Sequence, residues 1–105
     1  MNGGTVKDSK ALGYVKELRN RAGVPMPTTI SLEWLLDERA REFMWEGHRR
    51  VDLIRFGKFT DVNYPWTLKG GILNGKIALP SYRTIFPIIQ SDLSSNSNLI
   101  QNEGY

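Results

Sequence analysis

A stripe of apolar residues at helical spacing dominates the middle of this 105-residue chain. Its members lie mostly three or four residues apart, which is the period of one face of an α-helix. The sequence therefore predicts a long helix over residues 32–56, or two abutting helices within that range, with Ser31 as the N-cap. The stripe consists of Leu32, Leu36, Ala40, Phe43, Gly47, Val51 and Leu53 or Ile54.

The same stripe predicts which side chains are buried together: Leu36, Ala40, Phe43, Val51 and Ile54. Gly47 interrupts it, because glycine lowers helix propensity by about 1 kcal/mol relative to alanine. Two interpretations of Gly47 stay open. Either a neighbouring helix approaches closely there, or the helix breaks near residue 47.

The flanking regions differ sharply in pattern. Residues 8–22 read as an amphipathic helix that Asp8 or Ser9 caps and Gly23 ends. Residues 57–105 hold scattered glycines and prolines without a sustained period, so we expect them to be mostly irregular. Within them, residues 83–89 suggest a short extended segment and residues 94–98 suggest a turn. An irregular stretch of this length is uncommon in an independent domain, and it makes sense if these residues lie over helices.

Acidic and basic residues alternate along the predicted long helix. Glu38, Glu42 and Glu46 repeat every four residues, which raises the possibility of acid–base catalysis or of a metal site. Arginines at helical contact distance argue for structural ion pairs instead, since a paired carboxylate stays ionised and is a poor proton donor. The predicted pairs are Asp37–Arg41, Arg39–Glu42, Glu46–Arg50 and Asp52–Arg55.

Several classes of function are disfavoured by composition. The net charge of +3 comes from 14 basic and 11 acidic residues that are interspersed, unlike the one-sided basic surface of a nucleic-acid-binding module. The chain has no cysteine, and His48 is its one histidine, so we expect no metal and no cofactor. Lys69-Gly70-Gly71 lacks the rest of a phosphate-loop pattern. No window approaches the roughly 20 apolar residues that span a bilayer, so the chain alone reads as soluble.

Aromatic side chains are the remaining candidates for ligand contact, because sugar rings stack on exposed aromatic faces. Trp34 and Trp45 lie on the predicted long helix, where packing is the simpler interpretation. Tyr64 and Trp66 lie in a predicted loop, as does Tyr82. The sequence leaves open whether these loop aromatics contact a sugar or cover the core.

Three segments resemble, in the same order, the carboxy-terminal end of SusD/RagB-type outer-membrane lipoproteins. They are SKALGYVKELRNRAG (9–23), LDERAREFMWEGHRRVDLIRFGKF (36–59) and the ending FPIIQSDLSSNSNLIQNEGY (86–105). The resemblance lapses over roughly residues 60–81. It also lapses where the family pattern has prolines and this chain has Ile89, Ser97 and Glu103, and losing those fixed φ angles would loosen the tail.

The resemblance implies a mostly α fold, in which a TPR-like helix pair (about 8–22 and 32–56) precedes a long irregular C-terminal segment. Residues 1–105 would be a single fragment of a lipoprotein several times longer. That protein would be surface-exposed on the outer membrane through an N-terminal lipid anchor outside this fragment, and would deliver oligosaccharides to a SusC-like TonB-dependent transporter.

No residue of the matched segments carries over as a sugar ligand. The region where the resemblance lapses holds Tyr64 and Trp66, which are therefore the predicted ligand-binding residues. The resemblance implies binding without catalysis. Two alternatives remain: a helical scaffold that contacts only protein, including the N-terminal remainder of the same chain, or a carboxylate-based hydrolase with an unpaired, buried acid.

Overall fold

The computed structural model describes residues 4–105. Over these residues the fold is mostly α, as predicted, with helices α1 (Ser9–Arg21), α2 (Leu32–Glu42), α3 (Arg49–Arg55) and α4 (Gln90–Ser95). Two 3-10 helices lie at Lys69–Gly71 and Ser81–Thr84. The part of the chain that is described contains no β-strand, and an isolated bridge joins Thr5 to Ser31. None of its helices is long and apolar enough to cross a membrane.

Two compact units make up the chain, one ending at Arg49 and the other running from Arg50 to Tyr105. In the first unit, the Asp8 side chain accepts a hydrogen bond from the amide of Ala11 (2.8 Å) and thereby caps α1. Gly23 follows α1 with a φ of +66°, a left-handed conformation that ends a helix at little cost for glycine. Ser31 caps α2 by accepting from the amide of Trp34 (3.0 Å), so both predicted N-caps are confirmed.

The prediction of one continuous helix over residues 32–56 is wrong, and the alternative prediction of a break near residue 47 is confirmed. α2 ends at Glu42, and α3 begins at Arg49. Between them Trp45 and Gly47 have φ angles of 70° and 75°, which no right-handed helix accommodates. A Cβ added at Gly47 would meet nothing within 4 Å, so close approach by a neighbouring helix does not explain this glycine.

The break also corrects the predicted buried face, because residues after it no longer follow the helical phase of α2. Leu36 is buried as expected, whereas Phe43 is half-buried. Val51, predicted to be buried, is 53% exposed, and its neighbours Asp52 and Leu53 are buried in its place. Ala40 and Ile54 are half-buried.

The second unit is largely irregular, as predicted, but two details differ. Arg83 and Thr84 belong to a 3-10 helix, not to an extended segment, and only from Ile85 does the backbone become extended. The serine-rich stretch forms α4, in which the Ser94 and Ser95 hydroxyls donate to the carbonyls four residues earlier at 2.8 Å. The predicted turn begins only after it, where the Asn98 amide donates to the Asn96 side chain (3.0 Å).

Candidate functional site

The loop formed by residues 60–79 carries both predicted ligand-binding aromatics, Tyr64 and Trp66. The amide of Leu79 donates to the carbonyl of Thr60 (3.2 Å) and joins the two ends of this 60–79 loop. Inside it, the amide of Lys69 donates to the carbonyl of Trp66 (3.0 Å) and begins a 3-10 helix. The structure therefore brings the two aromatics into one closed loop.

Lys69 organises the interior of the 60–79 loop. It is 1% exposed, and its ammonium donates to the backbone carbonyls of Asp61 and Tyr64. The ammonium also lies 4.5 Å from the centre of the Trp66 ring, within cation–π range. Burial lowers the pKa of Lys69 from its ordinary value, and the negative charge of Asp61 opposes that shift. The buried charge thus ties together three positions of the loop.

The rings of Tyr64 and Trp66 already have partners within the chain. Trp66 stacks on Phe59, with ring centres 5.8 Å apart and planes inclined by 26°. The Lys58 ammonium lies 5.8 Å from the centre of the Tyr64 ring. Both aromatics are half-buried, so each ring combines packing with a remaining accessible surface. Such a ring has both the rigidity and the apolar area that stacking requires.

Gly75 fixes the path of the loop beside Trp66. A Cβ at residue 75 would lie 1.9 Å from the carbonyl oxygen of Trp66, far closer than atoms can approach. The φ of Gly75 is +64°, which also favours glycine. Two backbone segments therefore touch at this point, and the conformation of the loop around Trp66 is set by the chain itself.

A cluster of charges in the first unit surrounds Glu38. Its carboxylate accepts from Arg19 (2.9 and 3.2 Å) and from Arg41 (2.9 Å), and Arg19 also donates to the carbonyl of Pro25. Burial alone would raise the pKa of Glu38, but the hydrogen bonds and positive charges of Arg41 and Arg19 outweigh it and lower that pKa. Nearby, Glu42 pairs with Arg21. The lowered pKa keeps Glu38 ionised, which suits a structural role.

Four residues of the predicted ion pairs, Glu46, Arg50, Asp52 and Arg55, are distributed over both units. Glu46 lies 4.0 Å from the imidazole of His48. Arg50 donates to the carbonyls of Arg83 (2.8 Å) and Thr84 (3.2 Å). Asp52 is buried on α3, and Arg55 is exposed at its last turn. Their assignment as ion pairs stays a prediction.

The sequence did not reveal the contacts of two residues that shape the second unit. Arg50 was expected to pair with an acid, yet its guanidinium lies 3.8 Å from the centre of the Phe86 ring and 5.1 Å from that of Phe59. Lys69 carried no signal beyond the two glycines after it, because a lysine in a polar loop is ordinarily exposed. The contacts of Arg50 and Lys69 become visible only when the surroundings of the two cations are known.

Two further sequence candidates can be placed. Tyr82 packs edge-on against Tyr105, with ring centres 4.9 Å apart, beside a depression of about 350 Å³ that Glu103 also lines. His48 contacts the ring of Phe43 edge-on at 5.1 Å. Within residues 4–105, no group of three or more histidine, cysteine, aspartate or glutamate side chains is arranged to hold a metal ion.

Comparison with known proteins identifies the family. The chain is 48% identical over 96 residues to the starch-binding protein SusD of Bacteroides thetaiotaomicron. The match covers 90% of this chain but only 17% of the length of that relative. The model of the SusD family matches all of residues 1–105. Because the family match extends over the whole chain and the identity is high, this chain belongs to the SusD family.

Proposed function

We propose that this chain is the C-terminal part of a cell-surface glycan-binding lipoprotein that captures oligosaccharides. The observation that carries the proposal is the 48% identity to a protein named for starch binding. Since the matched residues make up 17% of that relative, the ligand and the partners of the whole protein are inferred and belong to this proposal.

The small core supports the view that the chain belongs to a larger protein. Among the described residues, the buried hydrophobic side chains are Ile30, Leu36 and Leu53. Many large apolar side chains are exposed, including Phe86 and Ile100. A chain that buries so little apolar surface gains little stability from its own core, whereas a longer protein could cover the rest.

Tyr64 and Trp66 are the proposed oligosaccharide contacts. The 60–79 loop is braced by Lys69 and by the backbone contact at Gly75, so a sugar would meet rings that are already positioned. Preorganisation of this kind lowers the entropic cost of binding. Catalysis is not part of the proposal, because the buried Glu38 has a lowered pKa and is unsuited to donating a proton near neutral pH. The proposed binding needs no cofactor.

The family resemblance supplies the rest of the proposal. The intact protein would be held at the outer membrane by an N-terminal lipid anchor and exposed at the cell surface. It would pass oligosaccharides to a SusC-like TonB-dependent transporter. A nucleic-acid partner is not proposed, because basic and acidic residues are interspersed along the chain.

Isothermal titration of the intact protein with starch-derived oligosaccharides tests the proposed ligand class. We expect saturable binding, and a non-starch oligosaccharide of equal length serves as the specificity control. If the intact protein binds neither the starch-derived series nor other glycans, the proposed function is wrong.

A second candidate, a scaffold that contacts only protein, is favoured by one observation. The rings of Tyr64 and Trp66 are already engaged by Lys58, Phe59 and Lys69. Hydrogen exchange of the intact protein with and without a bound oligosaccharide separates the two candidates. Slower exchange of amides in residues 60–79 supports sugar contact there, whereas unchanged exchange at saturation supports the scaffold.

A further inference from the structure

The turn between α2 and α3, residues 43–48, is held rigidly by its own neighbours. The amide of Phe43 donates to the carbonyl of Arg39 (2.9 Å), and the amide of Glu46 donates to the carbonyl of Phe43 (3.1 Å). The rings of Phe43 and His48 meet edge-on. Directly after the turn, Arg49 donates to the carbonyl of Leu36 (2.9 Å), which ties the end of the turn to α2. The 43–48 turn therefore has a defined conformation.

Two large apolar side chains project from the 43–48 turn into solvent. Trp45 is 94% exposed, and Met44 is 67% exposed. Trp45 also has a φ of 70°, a left-handed conformation that is strained for a bulky residue. Strained positions of this kind persist where surrounding structure compensates for them. Within the chain the indole gains almost no burial, so packing of its own ring does not offset this strain.

The shape of this feature indicates the kind of partner. A small ligand binds in a concave pocket, whereas Trp45 and Met44 protrude from a convex turn. A protruding tryptophan is typical of an anchor that fills an apolar pocket on another protein surface. The partner should therefore offer a pocket lined by aliphatic or aromatic side chains, with an acceptor for the indole N–H.

We propose that the 43–48 turn docks into the remainder of the same polypeptide, with Trp45 as the anchor residue. This rests on the proposed function, in which the chain is part of a longer protein. The relative that matches 90% of the chain has most of its length outside the matched stretch, so a covalently linked partner is expected to be always present. Linkage gives that partner a high effective concentration, which an unlinked protein lacks.

Replacing Trp45 by glycine in the intact protein gives opposite results for a docked and an exposed turn. Glycine relieves the strain of the positive φ, so a variant of an exposed Trp45 should unfold at the same or a higher temperature. A docked Trp45 fills a pocket, and its loss leaves a cavity. We expect Trp45→Gly to lower the melting temperature by several degrees. An unchanged or raised melting temperature would overturn the proposal.

Thiol labelling tests the same surface if the glycine variant does not fold. The chain contains no cysteine, so Met44→Cys introduces a single thiol into it. We expect this thiol to react with a maleimide at least about tenfold more slowly in the native intact protein than in denaturant. Lys16→Cys, on the exposed surface of α1, is the reagent control and should react rapidly. Equal rates for Met44→Cys in the two states contradict docking.

The conditions under which the Met44→Cys thiol is protected from maleimide identify what covers the 43–48 turn. Protection by the rest of the chain is independent of protein concentration and present without ligand. Protection that appears only at high protein concentration, or only with oligosaccharide, assigns the turn to another copy or to the ligand and overturns the proposal. Oligosaccharide titration of wild-type protein is a separate measurement, so failure of docking and failure of glycan binding are distinguishable.

Discussion

Glu38 is buried in α2, where its carboxylate accepts hydrogen bonds from Arg19 and Arg41. We expect Glu38→Gln to lower the free energy of unfolding by about 1.5–3 kcal/mol, the usual contribution of hydrogen bonds to a charged group. Denaturant unfolding near neutral pH measures this. Glu42→Gln is the matched control, because its partner Arg21 is largely exposed and such pairs contribute less than about 1 kcal/mol. Equal effects of the two variants would contradict the assignment.

The stabilisation from Glu38 should also depend on pH. The pKa of its carboxyl is lowered in the folded protein, because Arg41 and Arg19 outweigh the effect of burial. The unfolded chain therefore takes up a proton first as the pH falls. The stabilisation is complete above the ordinary glutamate pKa of about 4.3 and is lost as the pH falls through the lower folded value. The difference between wild type and Glu38→Gln should shrink over that acidic range, as urea titrations at successive pH values would show.

Lys69 offers a second test at the level of one side chain. Lys69→Met keeps most of the aliphatic chain but leaves the carbonyls of Asp61 and Tyr64 without their ammonium donor. Hydrogen bonds to a charged group contribute about 1.5–3 kcal/mol, so we expect a measurable loss of stability and faster amide exchange in residues 60–79. Lys76→Met, an exposed lysine of the same loop, should have little effect. Identical exchange rates in the two variants would argue against a bracing role for Lys69.

At the level of secondary-structure elements, the sequence located those helix ends that capping residues and glycine determine. Asp8, Ser31 and Gly23 mark helix ends in the sequence, and the structure uses each of them in that way. The apolar stripe indicated a helix through residue 56, because apolar spacing does not reveal a change of backbone direction. The break depends on left-handed conformations at Trp45 and Gly47. Only the glycine indicates such a conformation in a sequence, because other residues rarely adopt it.

Two glycine-to-alanine variants should have effects of opposite sign. Gly13 lies inside α1 with open space around it, so Gly13→Ala should stabilise the protein by about 0.5–1 kcal/mol. Gly47 also has open space, but its φ of 75° is left-handed, and Gly47→Ala should destabilise by about 1–2 kcal/mol. Thermal unfolding of both variants measures the two shifts. Stabilisation by both would indicate that residue 47 is helical in solution.

The C-terminal tail is held by contacts that no sequence period reveals. The side chain of Gln101 accepts a hydrogen bond from the Ile88 N–H and donates one to the Ile88 carbonyl, both at 2.9 Å. The side chain of Asn102 donates to the carbonyl of Phe86 (2.8 Å). The Tyr105 hydroxyl donates to the carbonyl of Ile85 (2.8 Å). Side chains of the tail thus satisfy backbone groups of residues 85–88, as the backbone of a neighbouring strand would do in a sheet. These contacts provide anchorage near Ile89, where the family pattern has a proline that this chain lacks.

The backbone at residue 89 is compatible with proline, although this chain has isoleucine there. Its φ is −63°, the angle that a proline ring imposes, and its amide donates no hydrogen bond to any other described residue. We expect Ile89→Pro to raise the free energy of unfolding by about 0.4–1 kcal/mol by restricting the unfolded chain. Ile88→Pro is the control and should destabilise, because it removes the donor to Gln101. A loss of stability in Ile89→Pro would mean that the tail differs in solution.

For the molecule as a whole, the sequence predicted the family but not how the 60–79 loop is built, and the ligand contact proposed in that loop stays a prediction. Tyr64 and Trp66 stood out because they lie where the resemblance lapses, and the structure finds them in one closed loop. The positions of these two rings depend on contacts with Lys69, Phe59 and Gly75, which join residues up to nine positions apart in irregular backbone. Such contacts leave no periodic pattern, so only the folded chain reveals them.

The ligand prediction belongs to the intact protein, because recognition would involve segments beyond this chain. Stacking of one aromatic ring contributes about 0.5–1.5 kcal/mol beyond area burial, so Trp66→Ala should weaken oligosaccharide affinity several-fold without abolishing it. Because Trp66 also stacks on Phe59, stability must be measured in parallel, and titration carried out well below the melting temperature. Leu73→Ala, an exposed apolar residue of the same loop without a ring, is the matched control and should bind like wild type. Unchanged affinity in both Trp66→Ala and a Tyr64→Ala variant would place oligosaccharide recognition entirely outside residues 60–79.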